Sequence, residues 1–195
     1  MIGPFTSNLN QYLFFGTFII WCLSLILERF TIKMRAKRIV KRKEDKGTYI
    51  LIYLSIILSI VISINLGYRE IALLPEIVFY VGIISILLGI FIREYSVITL
   101  GKFFSFQISV IEKHKLIENG PYHYIRHPAY TGGILSIIGI SISLRSMIAV
   151  IIVIIMSTIA YGSRIKYEEK ILVHEFGEEY IRYRNKTKKL IPLIY

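Results

Sequence analysis

The chain has 195 residues, 54% of them hydrophobic, and a mean hydropathy of +0.59. That excludes an ordinary soluble domain and indicates a polytopic membrane protein with room for about four to six spans. The formal net charge is +11, so where the charges lie decides whether they signal nucleic acid or membrane orientation.

The first apolar run, 9–27, is uncharged and ends at Glu28 and Arg29. No Lys or Arg precedes it, whereas a cleaved signal peptide has a basic n-region, so it reads as a retained span. Cys22, the single cysteine, lies in this run and reads as a packing residue. The second run, 48–68, carries Ser55, Ser59 and Ser63 on one helix stripe. The third, 71–92, is interrupted near its start by Pro75 and Glu76, leaving an apolar core at 77–92 and a span of about 75–92. Segment 104–110 alternates apolar and polar and reads as a short strand or extended stretch. Runs 128–144 and 146–163 are separated only by Arg145 and read as a tight helical hairpin. Beyond them Ile165, Leu172, Phe176, Tyr180 and Tyr183 recur at helical spacing. An amphipathic helix therefore continues from the fifth run, bends at Gly177 and closes at Pro192. The expected fold is an all-α integral membrane protein of five transmembrane helices in a single domain, 1–195. Segments 93–127 and 164–195 are its two cytosolic pieces.

Charge placement sets the orientation. Nine Lys and Arg fall in 28–47, five in 93–130 and eight in 164–195, leaving only Arg69 and Arg145 elsewhere. With five spans, 22 of the 24 positive charges share one face. The positive-inside rule then puts the N-terminus outside and the C-terminus in the cytoplasm. The basic surplus is topology plus attraction to anionic membrane lipid, not nucleic-acid binding.

The densest polar and aromatic cluster is GPYHYIRHPAYTGG at 120–133. Gly120-Pro121 is a turn signal, His127 is pushed toward extended backbone by the following proline, and Pro128 suits the first turn of a helix. Free N–H groups at that helix start favour an anion. An interfacial turn with belt tyrosines accounts for the same residues equally well. His114, His123, His127 and His174 lack metal-ligand spacing, and His123 and His174 read as surface residues. No GxGxxG or P-loop is present; Glu175, Glu178 and Glu179 read as a solvated helix face.

HKLIENGPYHYIRHPAYTGG at 114–133 resembles the signature of the isoprenylcysteine carboxyl methyltransferase family and its phospholipid methyltransferase relatives. A second block, RIKYEEKILVHEFGEEYIRYRNKTKKLIP at 164–192, resembles that family's R-x-x-x-E-E and F-G-x-E-Y-x-x-Y pattern. The likeness covers roughly 103–192. It implies an S-adenosylmethionine-dependent methyltransferase acting on a lipophilic acceptor, such as the α-carboxylate of a prenylated cysteine. The cofactor pocket would be cytosolic, between the loop before the fourth helix and the C-terminal helix. Carried over by motif position, the cofactor contacts would be Gln107, His114, Lys115, Leu116, Ile117, Tyr122, His127, Pro128, Ala129, Tyr130 and Glu168. In those roles Tyr122 and Tyr130 pack on adenine or face the sulfonium. Backbone groups of 114–117 read the adenine edge, His127 and the helix start take the cofactor carboxylate, and Glu168 pairs with its ammonium.

Arg164 matches the family arginine that meets the methyl acceptor, with Glu168 one turn along the same helix face. A guanidinium suits a carboxylate because it donates a bidentate fork. A plain i,i+4 ion pair on a solvated helix is the competing account of the two residues. A carboxylate acceptor, with a reference pKa of about 3.5, is already ionised at neutral pH and needs no general base. Two alternatives remain at this level. One is an NADPH-dependent sterol- or isoprenoid-type reductase, which shares the RHPxY stretch. The other is a non-enzymatic protein whose basic face binds anionic lipid.

Overall fold

The computed structural model describes residues 3–35, 40–43, 47–106, 109–111 and 115–192. Helix α1 runs Asn8–Arg35, α2 Thr48–Tyr68, α3 Ile77–Leu100, α4 Pro128–Ser143, α5 Met147–Phe176 and α6 Glu178–Lys186. Strands β1 (Val40–Lys43) and β2 (Ser109–Ile111) pair antiparallel in a two-stranded ribbon, so the alternating segment near Phe104 ends in a strand. The rest of the described architecture is helices and short turns.

Four helices, α1, α2, α3 and α5, are long and apolar enough to cross a membrane; α4 is apolar but shorter. Its 16 residues span about 24 Å, less than the ~30 Å hydrocarbon core. It is nevertheless the most buried element, with Gly132, Ser136, Ile137, Ile140 and Ser143 all enclosed. Large side chains on α1, α2, α3 and α5, such as Ile20, Leu54, Ile84 and Ile155, face outward, as a lipid-facing surface requires.

Small residues decide the packing. Gly82 and Gly89 on α3 meet Gly139 and Ser143, and Gly132 and Ser136, on α4. A Cβ added at Gly89 would stand 2.6 Å from the Gly132 carbonyl oxygen. The backbones therefore touch, as small-residue interfaces in membranes allow. The serine stripe of α2 (Ser55, Ser59, Ser63) is buried, extended by Gly67 at the helix end. Around these contacts sits an aromatic and aliphatic core that includes Phe14, Trp21, Phe79, Ile86, Leu144 and Val153.

The α4–α5 connection is a turn at Arg145, whose φ of 61° is left-handed for a non-glycine residue. It is held from outside: Leu74 N–H donates to the Arg145 carbonyl (2.6 Å), and Arg145 Nε donates to the Leu74 carbonyl (2.9 Å). Ser146 caps α5 through Ala149 N–H and donates to the Ile71 carbonyl. At the same end the carboxylate of Glu76 accepts from Thr6 and Asn10. At the other end α5 runs on past residue 163 to Phe176, and Gly177 (φ 53°) breaks it from α6.

Candidate functional site

The signature stretch folds as a strap tied to the tail. A short 3-10 turn, Gly120–His123, buries Tyr122. The strap then runs beside the segment after α6: Arg126 N–H donates to the Lys188 carbonyl (2.8 Å) and His127 N–H to the Lys189 carbonyl (3.0 Å). Arg126 is buried and locks three pieces together. Its Nε donates to Glu169 of α5 (2.8 Å), and its Nη1 reaches the carbonyls of Arg184 and Thr187. A buried guanidinium needs such pairing to offset its desolvation. The Tyr183 hydroxyl donates to the Tyr122 carbonyl (2.7 Å), so α6 also clasps the turn. Burial pushes the Tyr122 and Tyr183 phenols well above their ordinary pKa, and both stay neutral.

Between the strap, the end of α3, α5 and α6 lies a cleft of about 980 Å³, including its open mouth. Lys115, Leu116, Ile117, Tyr122, His127, Ala129, Tyr130 and Glu168 all line it, so the structure gathers eight of the residues singled out from the sequence. Pro128 is buried at the start of α4 and does not line the cleft. Gln107 and His114 lie outside the described residues. The sequence reading missed Phe104, Leu172, Phe176, Tyr180 and Tyr183 as lining residues. Four of these belong to the apolar face of the C-terminal helix, whose spacing was visible but whose partner was not.

A hydrogen-bonded chain crosses the floor of the cleft. The Tyr130 hydroxyl donates to Glu168 Oε2 (2.7 Å) and accepts from Arg164 Nε (3.1 Å). Arg164 is 2% exposed, so the solvated-pair account of it does not hold. Its Nη1 donates to Thr48 Oγ1 (2.7 Å) at the start of α2, and its Nη2 to the Phe106 carbonyl (2.8 Å). The His127 ring stacks on Tyr130 at 5.5 Å with 11° between planes, its Nδ1 3.9 Å from Glu168 Oε2.

On the far side of Tyr130 a second cavity, about 1220 Å³ including its open mouth, opens among α1, α2, α4 and α5. Trp21, Leu25, Ile52, Ile56 and Ile137 give it an apolar wall, and Arg164 sits in it. Phe104, Ser105 and Tyr130 line both spaces and form the partition between them. The second cavity is braced by an ion pair the sequence reading did not anticipate. Arg93 meets Glu28 through Nε (3.0 Å) and Nη2 (2.9 Å), and its Nη1 donates to the Ala129 carbonyl (3.2 Å). The signal was present: an acid and a base each ended an apolar run, and ionisable residues at such positions pair.

A set of apolar helices, with a polar-floored cleft at one end and an apolar cavity beside it, defines a helical membrane protein with two adjoining cavities. The model of the isoprenylcysteine carboxyl methyltransferase family matches residues 81–174. A probable protein-S-isoprenylcysteine O-methyltransferase from Oryza sativa subsp. indica is 33% identical over 132 residues, 64% of this chain and 69% of that protein. The Saccharomyces cerevisiae protein-S-isoprenylcysteine O-methyltransferase is 33% identical over 115 residues, 58% of this chain and 48% of that protein. The chain belongs to the isoprenylcysteine carboxyl methyltransferase family. Its fold is that of a eukaryotic intramembrane Ras methyltransferase of solved structure, with a TM-score of 0.70 over 98% of this chain and 70% of that one, at 22% identity.

Proposed function

We propose that this protein transfers a methyl group from S-adenosylmethionine to the carboxylate of a lipophilic acceptor, such as a prenylated cysteine. The observation that carries the reading is the Arg164–Tyr130–Glu168 chain, which sits where a polar cleft meets an apolar cavity. Family membership supports the activity and lends none to the reductase or binding-only alternatives.

The cleft fits the donor. Of its two lining carboxylates, Glu168 and Glu175, it offers Glu168, held by Tyr130, for an ammonium, and aromatic faces at Tyr122, Tyr130 and His127 for adenine and the sulfonium. The donor supplies an electrophilic methyl on a sulfonium. Bound there, it would give that methyl to the acceptor oxygen with the S–CH3 electron pair staying on sulfur, so carboxylate and sulfonium would be neutralised together.

The residues then have separate tasks. Arg164 presents its guanidinium to the acceptor carboxylate from the apolar side, and Tyr130 fixes its Nε edge. Glu168 holds the donor's ammonium, oriented by the Tyr130 hydroxyl. Phe104 and Tyr130 keep water from the meeting point, which favours a charge-neutralising step. No general base is required, because the acceptor is already ionised. The isoprenoid tail occupies the apolar cavity and enters sideways between α1 and α2. The five apolar helices all cross the bilayer, with α4 as the short central span. The N-terminus is outside, and the C-terminus and donor cleft are cytoplasmic. The whole described chain forms one membrane domain.

Titration of the detergent-solubilised protein tests this. S-adenosylmethionine or its demethylated product should raise the melting temperature, since binding at a hundredfold excess over Kd adds about 2.7 kcal/mol of stability. NADPH should not. Stabilisation by NADPH alone would overturn the assignment.

A further inference from the structure

A third space lies between α4 and α5 and the segment that follows α6. It is a groove of about 1990 Å³, open along its length. Its long wall is apolar, with Ile134, Leu135, Ile138 and Ile154. Its cytoplasmic end carries Lys166 and Lys170 of α5, Arg184 of α6 and Lys189 beyond it. Lys166, Lys170 and Arg184 are exposed. The one acid in the groove, Glu169, is already neutralised by Arg126 and lies against His127. The groove therefore shows three exposed cations, Lys166, Lys170 and Arg184, at its head and, among the described residues lining it, no free carboxylate, above a trough of hydrocarbon.

That polarity selects its occupant. A membrane-facing trough takes acyl chains, and a basic pocket at the membrane surface takes a phosphate head group. A neutral or zwitterionic lipid would leave the cluster of like charges uncompensated. We infer that this groove is a binding site for one anionic phospholipid of the surrounding bilayer, separate from the methyl-transfer site. Its head group bridges α5 to α6 and the tail. The position matters because the tail holds the strap: Thr131 Oγ1 donates to the Leu190 carbonyl (2.7 Å), and Lys188 and Lys189 carbonyls hold Arg126 and His127. A bound lipid draws the segment that clasps the donor cleft onto α4 and α5.

Native mass spectrometry of the full chain in detergent, with phosphatidylglycerol or phosphatidylcholine added, reads the binding directly and does not depend on methyl transfer. One phosphatidylglycerol should be retained tightly, with a rise in melting temperature, and phosphatidylcholine should not. The variant Lys166→Gln/Lys170→Gln/Arg184→Gln should lose at least tenfold in phosphatidylglycerol affinity. The variant Arg182→Gln/Lys186→Gln/Lys188→Gln, which removes the same charge from outside the groove, should keep it. Ile138→Trp, which fills the trough and leaves the cations, should also lose it. Equal loss in both charge variants would reduce the effect to diffuse surface attraction and overturn the site. Retention in Ile138→Trp, or equal retention of phosphatidylcholine, would overturn it as well.

Discussion

At the scale of single residues, Arg164 is the most informative side chain. Its identity was legible in R-x-x-x-E-E, but its burial was not. Two of its partners, Thr48 and Phe106, stand 116 and 58 residues away in sequence, and no local pattern relates them. The same holds for Arg126, which the motif marks and whose grip on Glu169 and the tail only the fold supplies. If Arg164 meets the acceptor, Arg164→Ala should lower kcat by about 10²-fold, because the carboxylate oxygen is no longer held in line with the methyl. The donor's Kd, measured by calorimetry, should stay close to that of the parent. Arg164→Lys should recover only part of the rate, because an ammonium lacks the fork. Equal loss of rate and donor affinity in Arg164→Ala would move this residue to the donor side.

At the scale of elements, the apolar runs were visible and their ends were not. Glu28 and Arg93 each end an apolar run in sequence, yet α1 continues to Arg35 and α3 to Leu100. The charges can stay inside because they neutralise each other, with Glu28 2% exposed. Breaking that pair with Glu28→Gln should destabilise the protein by about 3–5 kcal/mol, since it strands a buried guanidinium. The joint replacement Glu28→Leu/Arg93→Met should recover most of that loss in the same unfolding titration. The glycines of α3 were equally readable as letters and opaque in purpose. Gly89→Leu puts a side chain where the Gly132 carbonyl and Ser136 already stand, so α3 and α4 must part. Its melting temperature should fall steeply, and donor affinity with it, because α4 carries Tyr130.

For the molecule as a whole, charge asymmetry in the sequence carries more topological information than the helices themselves. Helix length alone marks four crossings and leaves the 16-residue α4 undecided. The basic residues require an odd number of crossings to gather on one face. Cysteine labelling in a Cys22→Ser background separates the possibilities. Lys186→Cys should react with a membrane-impermeant maleimide only after permeabilisation, and Arg69→Cys in intact cells. The opposite pattern would invert the protein.

Phe104, Ser105 and Tyr130 line both compartments, and under the proposed function the donor cleft is reached from water and the apolar cavity from the bilayer. On that reading a spent nucleoside would be swapped for a fresh one while a greasy partner waits in place. Turnover would then draw on two reservoirs that never compete for the same entrance.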